Sequence, residues 1–112
     1  VAIKVSERVW KEEPIPEFKV FQERFPELSE EFVELVRKTL GESKLERKIQ
    51  ELVIIGLLAG KFEGGYKFHL REAIKHGATR EEVVGVILLT LLYCDIGTFL
   101  KSLAWAKEEE IL

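Results

Sequence analysis

An all-helical fold is what this 112-residue chain predicts, and three observations predict it. Apolar residues recur at helical spacing along most of the sequence. Residues that start and stop helices bracket the periodic stretches. No stretch alternates apolar and polar residues as a half-buried strand does. The length suits one domain over residues 1–112, because a single core serves roughly 100–150 residues, and a hydrophobic content of 46% is enough to fold.

Residues 1–13 mix charge with Val and Trp10 without a clean period, and read as an arm that packs by Val5, Val9 and Trp10. Pro14 and Pro16 stop a helix from running through. Pro16 suits the first turn of a short helix, Glu17–Phe25, with Phe18, Phe21 and Phe25 at helical spacing; Pro26 ends it. Ser29 reads as the next N-cap, with Glu30 and Glu31 in the first turn. Phe32, Val33, Leu35, Val36 and Leu40 follow, and Gly41 is the stop. Ser43 and Glu46 have the spacing of a capping box for a helix running to about Lys61. That helix is amphipathic at first (Leu45, Ile49, Leu52) and apolar on every side from Leu52 to Ala59.

Gly60, Gly64 and Gly65 around Phe62 break the chain. A helix from about Gly65 to His76 follows and stops at Gly77. Thr79 and Glu82 form a second capping box, for a helix over Arg80–Cys94 that is again apolar all round. Asp95 and Gly97 interrupt, and Thr98–Glu110 is the last helix. A helix apolar on every side must be covered on every side. Two such helices in so short a chain predict an obligate homo-oligomer with a core-like interface.

The net charge is −3, and Glu outnumbers Lys plus Arg. That balance argues against nucleic acid as a partner, since duplex-binding domains carry a basic face. The longest apolar stretch, Val83–Cys94, is 12 residues. A membrane span needs about 20, so no membrane association is expected. No signal-peptide pattern is visible at the N-terminus. Cys94 is the only cysteine, which precludes an intrachain disulfide and suits a reducing, cytoplasmic setting. The chain has no Asn, no Met and a single Asp, with Glu and Lys dominant, a composition that leans toward a thermophile.

Three strings then stand out: L-E-R-K-I-Q-E-L-V-I-I-G from Leu45, H-x-x-x-A-x-x-x-G-A-T-x-E-E from His69 to Glu82, and L-L-Y-C-D-I-G from Leu91. Together they resemble the carboxymuconolactone decarboxylase family, over a core of residues 45–107 preceded by an N-terminal arm and helices over residues 1–43. The resemblance implies an alkylhydroperoxidase-D-like fold of about six helices, assembled as a trimer or hexamer. It also implies proton-transfer chemistry on a small carboxylate or lactone, with neither cofactor nor metal. The peroxidase branch carries a C-x-x-C pair that attacks peroxide and closes a disulfide. In this sequence those positions are Phe62 and Gly65, so that cycle has no chemistry here. The decarboxylase branch needs no cysteine. It implies His69 as the proton-transfer group with Glu51 as its acidic partner; a shift of one residue would put Gln50 there instead. The family's Gly-x-Pro after the Tyr is replaced by Asp95-Ile96-Gly97, and Arg71 is the nearest cation to His69.

A purely structural reading competes at each position. Ala73 allows close helix packing, Gly77 is a left-handed stop, and Thr79 with Glu82 caps a helix. His76 sits where the helix dipole favours a cation. His69, Glu72 and His76 share a face, but their spacing is not that of a metal site. Cys94 reads as a small buried hydrophobe, and Tyr66, Phe68 and Trp105 as core or interface. Only His69 and Glu51 ask for chemistry. The alternative to an enzyme is a non-catalytic oligomeric scaffold or small-molecule-binding protein of the same fold.

Overall fold

The computed structural model describes residues 15–112, so the arm expected over residues 1–13 lies outside the described residues. Among these residues there are six α-helices and no strand. They form two units, divided after Leu45.

The first unit holds α1 (Pro16–Arg24) and α2 (Pro26–Glu42). Each opens on a proline at its first position. The ring presets φ there, and the missing N–H is one that a helix start leaves unpaired anyway. Pro26 therefore both ends α1 and begins α2, which moves the start of α2 ahead of the expected N-cap. Ser29 lies inside the first turn, and its buried hydroxyl donates to the Pro26 carbonyl at 2.9 Å. The two helices meet through rings: Phe21 is 5.8 Å from Phe18 and 6.2 Å from Phe32, both edge-on.

The expected stop at Gly41 is not used. The helix runs through it to Glu42, and the left-handed residue is Lys44, with φ of 60°. Nor do Ser43 and Glu46 form a capping box. The Ser43 hydroxyl turns back to the Leu40 carbonyl at 2.9 Å, and Glu46 is the N-cap of the next helix with no side-chain cap bond.

The second unit holds α3 (Arg47–Leu58), α4 (Glu63–Lys75), α5 (Arg80–Tyr93) and α6 (Ile96–Glu108). Helix α3 ends a turn earlier than expected, because Gly60 adopts φ of +70°. A Cβ there would meet Thr98 Cα at 3.0 Å, so the turn also needs glycine for the close approach of α6. Helix α4 starts two residues before Gly65. It closes as expected: Gly77 has φ of +98°, the Ala78 N–H reaches the Ala73 carbonyl at 2.9 Å, and the Gly77 N–H reaches Ile74 at 3.1 Å. These are the paired bonds of a Schellman stop. The Thr79–Glu82 capping box forms in both directions, at 3.0 and 2.9 Å.

Helices α3 and α4 run antiparallel, since the start of α3 (Arg47) meets the end of α4 (Glu72). The core between the four helices is Ile55, Ala59, Tyr66, Leu70, Ala73, Ala78, Val83, Ile87, Ala106 and Ile111. Among the described residues the two apolar helices are covered on one side only. Leu88, Leu89, Leu91, Leu92 and Tyr93 stay exposed on α5, Tyr93 by 83%, as do Val53 and Leu57 on α3. Cys94 is exposed too, contrary to the buried position expected of it. It lies one residue past the last turn of α5, where the helix no longer points it inward. No described helix is long and apolar enough to cross a membrane.

Asp95 caps α6. Its carboxylate accepts the Thr98 N–H at 2.7 Å and the Thr98 hydroxyl at 3.0 Å. The backbone bond, then the hydroxyl bond, hold its pKa below the ordinary value. A carboxylate lowered in the native state adds stability above its unfolded pKa and loses it as pH falls through the native value. Asp95→Asn keeps an acceptor but removes the titration. Its stability, followed by urea denaturation through the acid range, should fall less steeply than that of the wild type. Equal slopes would refute the assignment.

Candidate functional site

Helix α3 carries Arg47 and Glu51 one turn apart, and α4 carries His69, Glu72 and His76 on one face. The antiparallel pairing lays these faces together. Glu51 has no solvent exposure, so its carboxylate depends on protein donors. One oxygen, Oε2, lies 2.7 Å from His69 Nδ1. The other, Oε1, accepts from Arg47 Nη2 at 2.9 Å and Nε at 3.1 Å. Arg47 Nη2 also reaches Glu72 Oε1 at 3.6 Å. Glu72, itself buried, is within 3.7 Å of His76 Nε2 and 3.8 Å of Lys75 Nζ. The result is a continuous chain of charge, His69–Glu51–Arg47–Glu72–His76, running between the two helices.

The His69 side chain is 18% exposed. It is packed but reachable, with the Phe68 ring edge-on at 5.1 Å. A carboxylate at Nδ1 selects the tautomer with the proton on Nδ1. In a neutral ring Nε2 is then the free nitrogen, and it has no hydrogen-bond partner among the described residues. A carboxylate-oriented imidazole with a free second nitrogen is the basic form of a proton-transfer group.

The structure thus brings together the two residues singled out in the sequence. Of the two acidic-position candidates, Glu51 rather than Gln50 bonds His69. Glu51 is ion-paired with Arg47 and fully buried. Arg71 does not join the site; it is half exposed and pairs with Glu109 at 2.6 Å. Arg47 was missed, and Glu72 was placed on the His69 face without its link to Arg47. The Arg47-x-x-x-Glu51 spacing was the available signal for Arg47, but nothing local marks Glu72 as its second partner. Among the described residues no three His, Cys, Asp or Glu side chains gather as metal ligands. A second buried polar pair, Tyr66 and Ser102, lies in the core against Trp105. Neither hydroxyl makes a hydrogen bond of normal length, and burial pushes the Tyr66 phenol up, the nearby Ser102 hydroxyl opposing it.

The peroxidase positions are filled in a way that excludes a dithiol. A Cβ on Gly65 would lie 2.5 Å from Phe62 Cδ2, so the Phe62 ring occupies the space a side chain at residue 65 would need. Elsewhere α3 and α5 form an open apolar groove of about 310 Å³, lined by Ile49, Leu52, Gly56, Val86, Leu89 and Cys94 among others. His69 is not part of it.

Residues 26–108 match the profile of the carboxymuconolactone decarboxylase family. The uncharacterized protein MJ0742 of Methanocaldococcus jannaschii is 30% identical over 87 residues, covering 76% of this chain and 84% of that protein. No solved structure gives a significant match.

The contact between Phe62 and Gly65 makes the two positions interdependent. Gly65→Ala should displace the ring and cost about 1 kcal/mol, the lower end of overpacking. In Phe62→Ala the same change should be neutral or stabilising, because alanine replaces a helical glycine without a clash. A double-mutant cycle by urea denaturation checks this, and additive effects would refute the contact.

Proposed function

The chain belongs to the carboxymuconolactone decarboxylase family, and on that premise we propose that it is a cofactor-independent proton-transfer enzyme, a decarboxylase of a small lactone acid, with His69 as the catalytic residue. The observation that carries this reading is the 2.7 Å bond between His69 Nδ1 and the buried Glu51 carboxylate, which leaves Nε2 free. When a carboxylactone loses CO2, the C–CO2 bond breaks and its electron pair passes into the conjugated lactone as an enolate. A carbon of that enolate must then take a proton. His69, having taken up a proton from solvent at Nε2, delivers it to that carbon and returns to its neutral form. Glu51 keeps the ring oriented throughout and stabilises the imidazolium.

A dithiol peroxidase is disfavoured, since Phe62 and Gly65 hold the positions of the sulfurs and the lone Cys94 lies past the end of α5. The second reading, a non-catalytic oligomeric scaffold or small-molecule-binding protein, draws support from the apolar groove that His69 does not line. Under either reading the chain works as a homo-oligomer, a trimer or hexamer by the family resemblance. The exposed apolar face of α5 and of Leu57 supports assembly. A cytoplasmic setting and a thermophilic source belong to the same reading, on composition alone.

Purified protein should decarboxylate a γ-carboxylactone, followed by loss of the substrate chromophore. His69→Asn should keep the oligomer and lose at least about a hundredfold in kcat, the usual worth of a general acid–base group. A variant as fast as the wild type would remove His69 from the chemistry. Sedimentation equilibrium at micromolar concentration should give a multiple of the 12.9 kDa chain. A well-behaved folded monomer would overturn the assembly reading.

A further inference from the structure

We propose that the outer face of α5 docks the same face of a second copy of this chain. The two α5 helices lie antiparallel across a two-fold axis, and Gly85 of each copy receives Leu92 of the other. The inference rests on the assembly reading above and specifies the contact that makes it.

Helix α5 has two faces. Val83, Ile87 and Thr90 point into the core and are buried. Gly85, Leu88, Leu89 and Leu92 stand at the i, i+3, i+4, i+7 spacing of one face on the opposite side. All three leucines are more than half exposed, Leu92 by 77%. On the flank of this stripe Tyr93, with Val53 and Leu57 of α3, extends the apolar surface over the groove between α3 and α5. The exposed area of these six side chains is on the order of 800 Å², which is what one partner gives to a standard stable interface. A lone soluble chain seldom leaves so large an apolar patch in water. From Val83 to Tyr93 there is no charged residue, so the surface suits an occupant as apolar as itself.

Gly85 decides which occupant. Glycine is the poorest helix former after proline, so in mid-helix it needs a reason. Gly56 of α3 has one within the chain, since a Cβ there would touch Val86 Cγ1 at 3.6 Å. A Cβ on Gly85 would meet nothing within 4 Å. The gap it leaves opens outward, on the leucine stripe. Leu92, the most exposed leucine of the described residues, follows two turns later. With the axis between Leu88 and Leu89, an antiparallel pairing sets each residue against one equally far from the axis. Leu88 then meets Leu89, and Gly85 meets Leu92, large side chain into small. A parallel pairing in register would set leucine on leucine and gap on gap. The antiparallel contact is isologous: it closes on itself and joins copies in pairs. Of the trimer and the hexamer, it selects the hexamer.

Sedimentation equilibrium of the full chain at micromolar concentration should therefore give an even multiple of the chain mass. Gly85→Leu should halve that mass and leave the helical circular dichroism unchanged, because within the chain the new side chain enters open space. Adding Leu92→Ala to Gly85→Leu exchanges large and small across the axis, and should restore the wild-type mass. An odd-numbered wild-type oligomer, an unchanged mass in Gly85→Leu, or a double variant left at half mass would each overturn the contact and leave the assembly reading standing. A wild-type monomer would overturn both. Should Gly85→Leu fail to fold, disulfide trapping in a Cys94→Ser background decides. Gly85→Cys and Leu92→Cys together should give covalent dimers under mild oxidation, and neither cysteine alone should. Dimers from Leu92→Cys alone, or none from the pair, would overturn the proposal.

Discussion

A carboxylate without solvent exposure is a demanding thing to build into so small a helical unit. Glu51 must be satisfied entirely by protein donors, because an unpaired buried charge costs several kcal/mol even after relaxation. One donor, Arg47, comes from its own helix. The other, His69, comes from α4, eighteen residues further on. The Arg47 bond forms within α3, so it is the His69 bond that fixes the register of α3 against α4. That register also sets Ile55 of α3, and Ala59 just past its end, among Tyr66, Leu70 and Ala73 of α4, all buried in the same core. The polar contact and the apolar core therefore specify the same helix pairing, the consistency between levels that marks a well-specified fold.

The turns are built to serve that pairing. Gly60 allows the chain to leave α3 where Thr98 comes within contact distance. Gly77 ends α4 with a Schellman pair, and Thr79 caps α5 two residues later. Asp95 restarts the chain into α6 within two residues of the end of α5. Short connections of this kind keep neighbouring helices adjacent and leave little freedom in how the second unit closes. Chemistry and scaffold meet at Phe62, which stands at the N-cap of α4 and lays its ring on Gly65. The positions that hold the redox pair in the peroxidase branch form a packing contact here, and the bonded His69–Glu51 pair lies on the same two helices.

The remaining apolar surface is a different kind of statement. Helix α5 buries Val83, Ile87 and Thr90 on one face and exposes a run of leucines and Tyr93 on the other. Its hydrophobicity is nearly uniform around the axis, so the sequence cannot say which face looks inward. Such a helix is stable in water only when its second face is covered as well, which is the physical reason for reading this chain as one member of an assembly.

What the sequence determined by itself was local. The helical period of α2 to α6, the Thr79–Glu82 box and the Gly77 stop follow from bonds and φ angles that span four or five residues, so the residues that make them lie together in the text of the chain. The family string from His69 to Glu82 was legible for the same reason. Three local readings failed where local signals compete: a proline at the first helical position outweighed the Ser29 cap, the helix ran past Gly41 with Lys44 taking the left-handed turn, and the Ser43 hydroxyl turned back to Leu40 instead of opening a capping box. Tertiary structure alone decided the rest. The burial of Glu51, the reach of Arg47 across to Glu72 and the exposure of Cys94 depend on which turn of one helix faces which turn of another. That choice is made by the summed packing of side chains distant in sequence, and no single residue or spacing carries it.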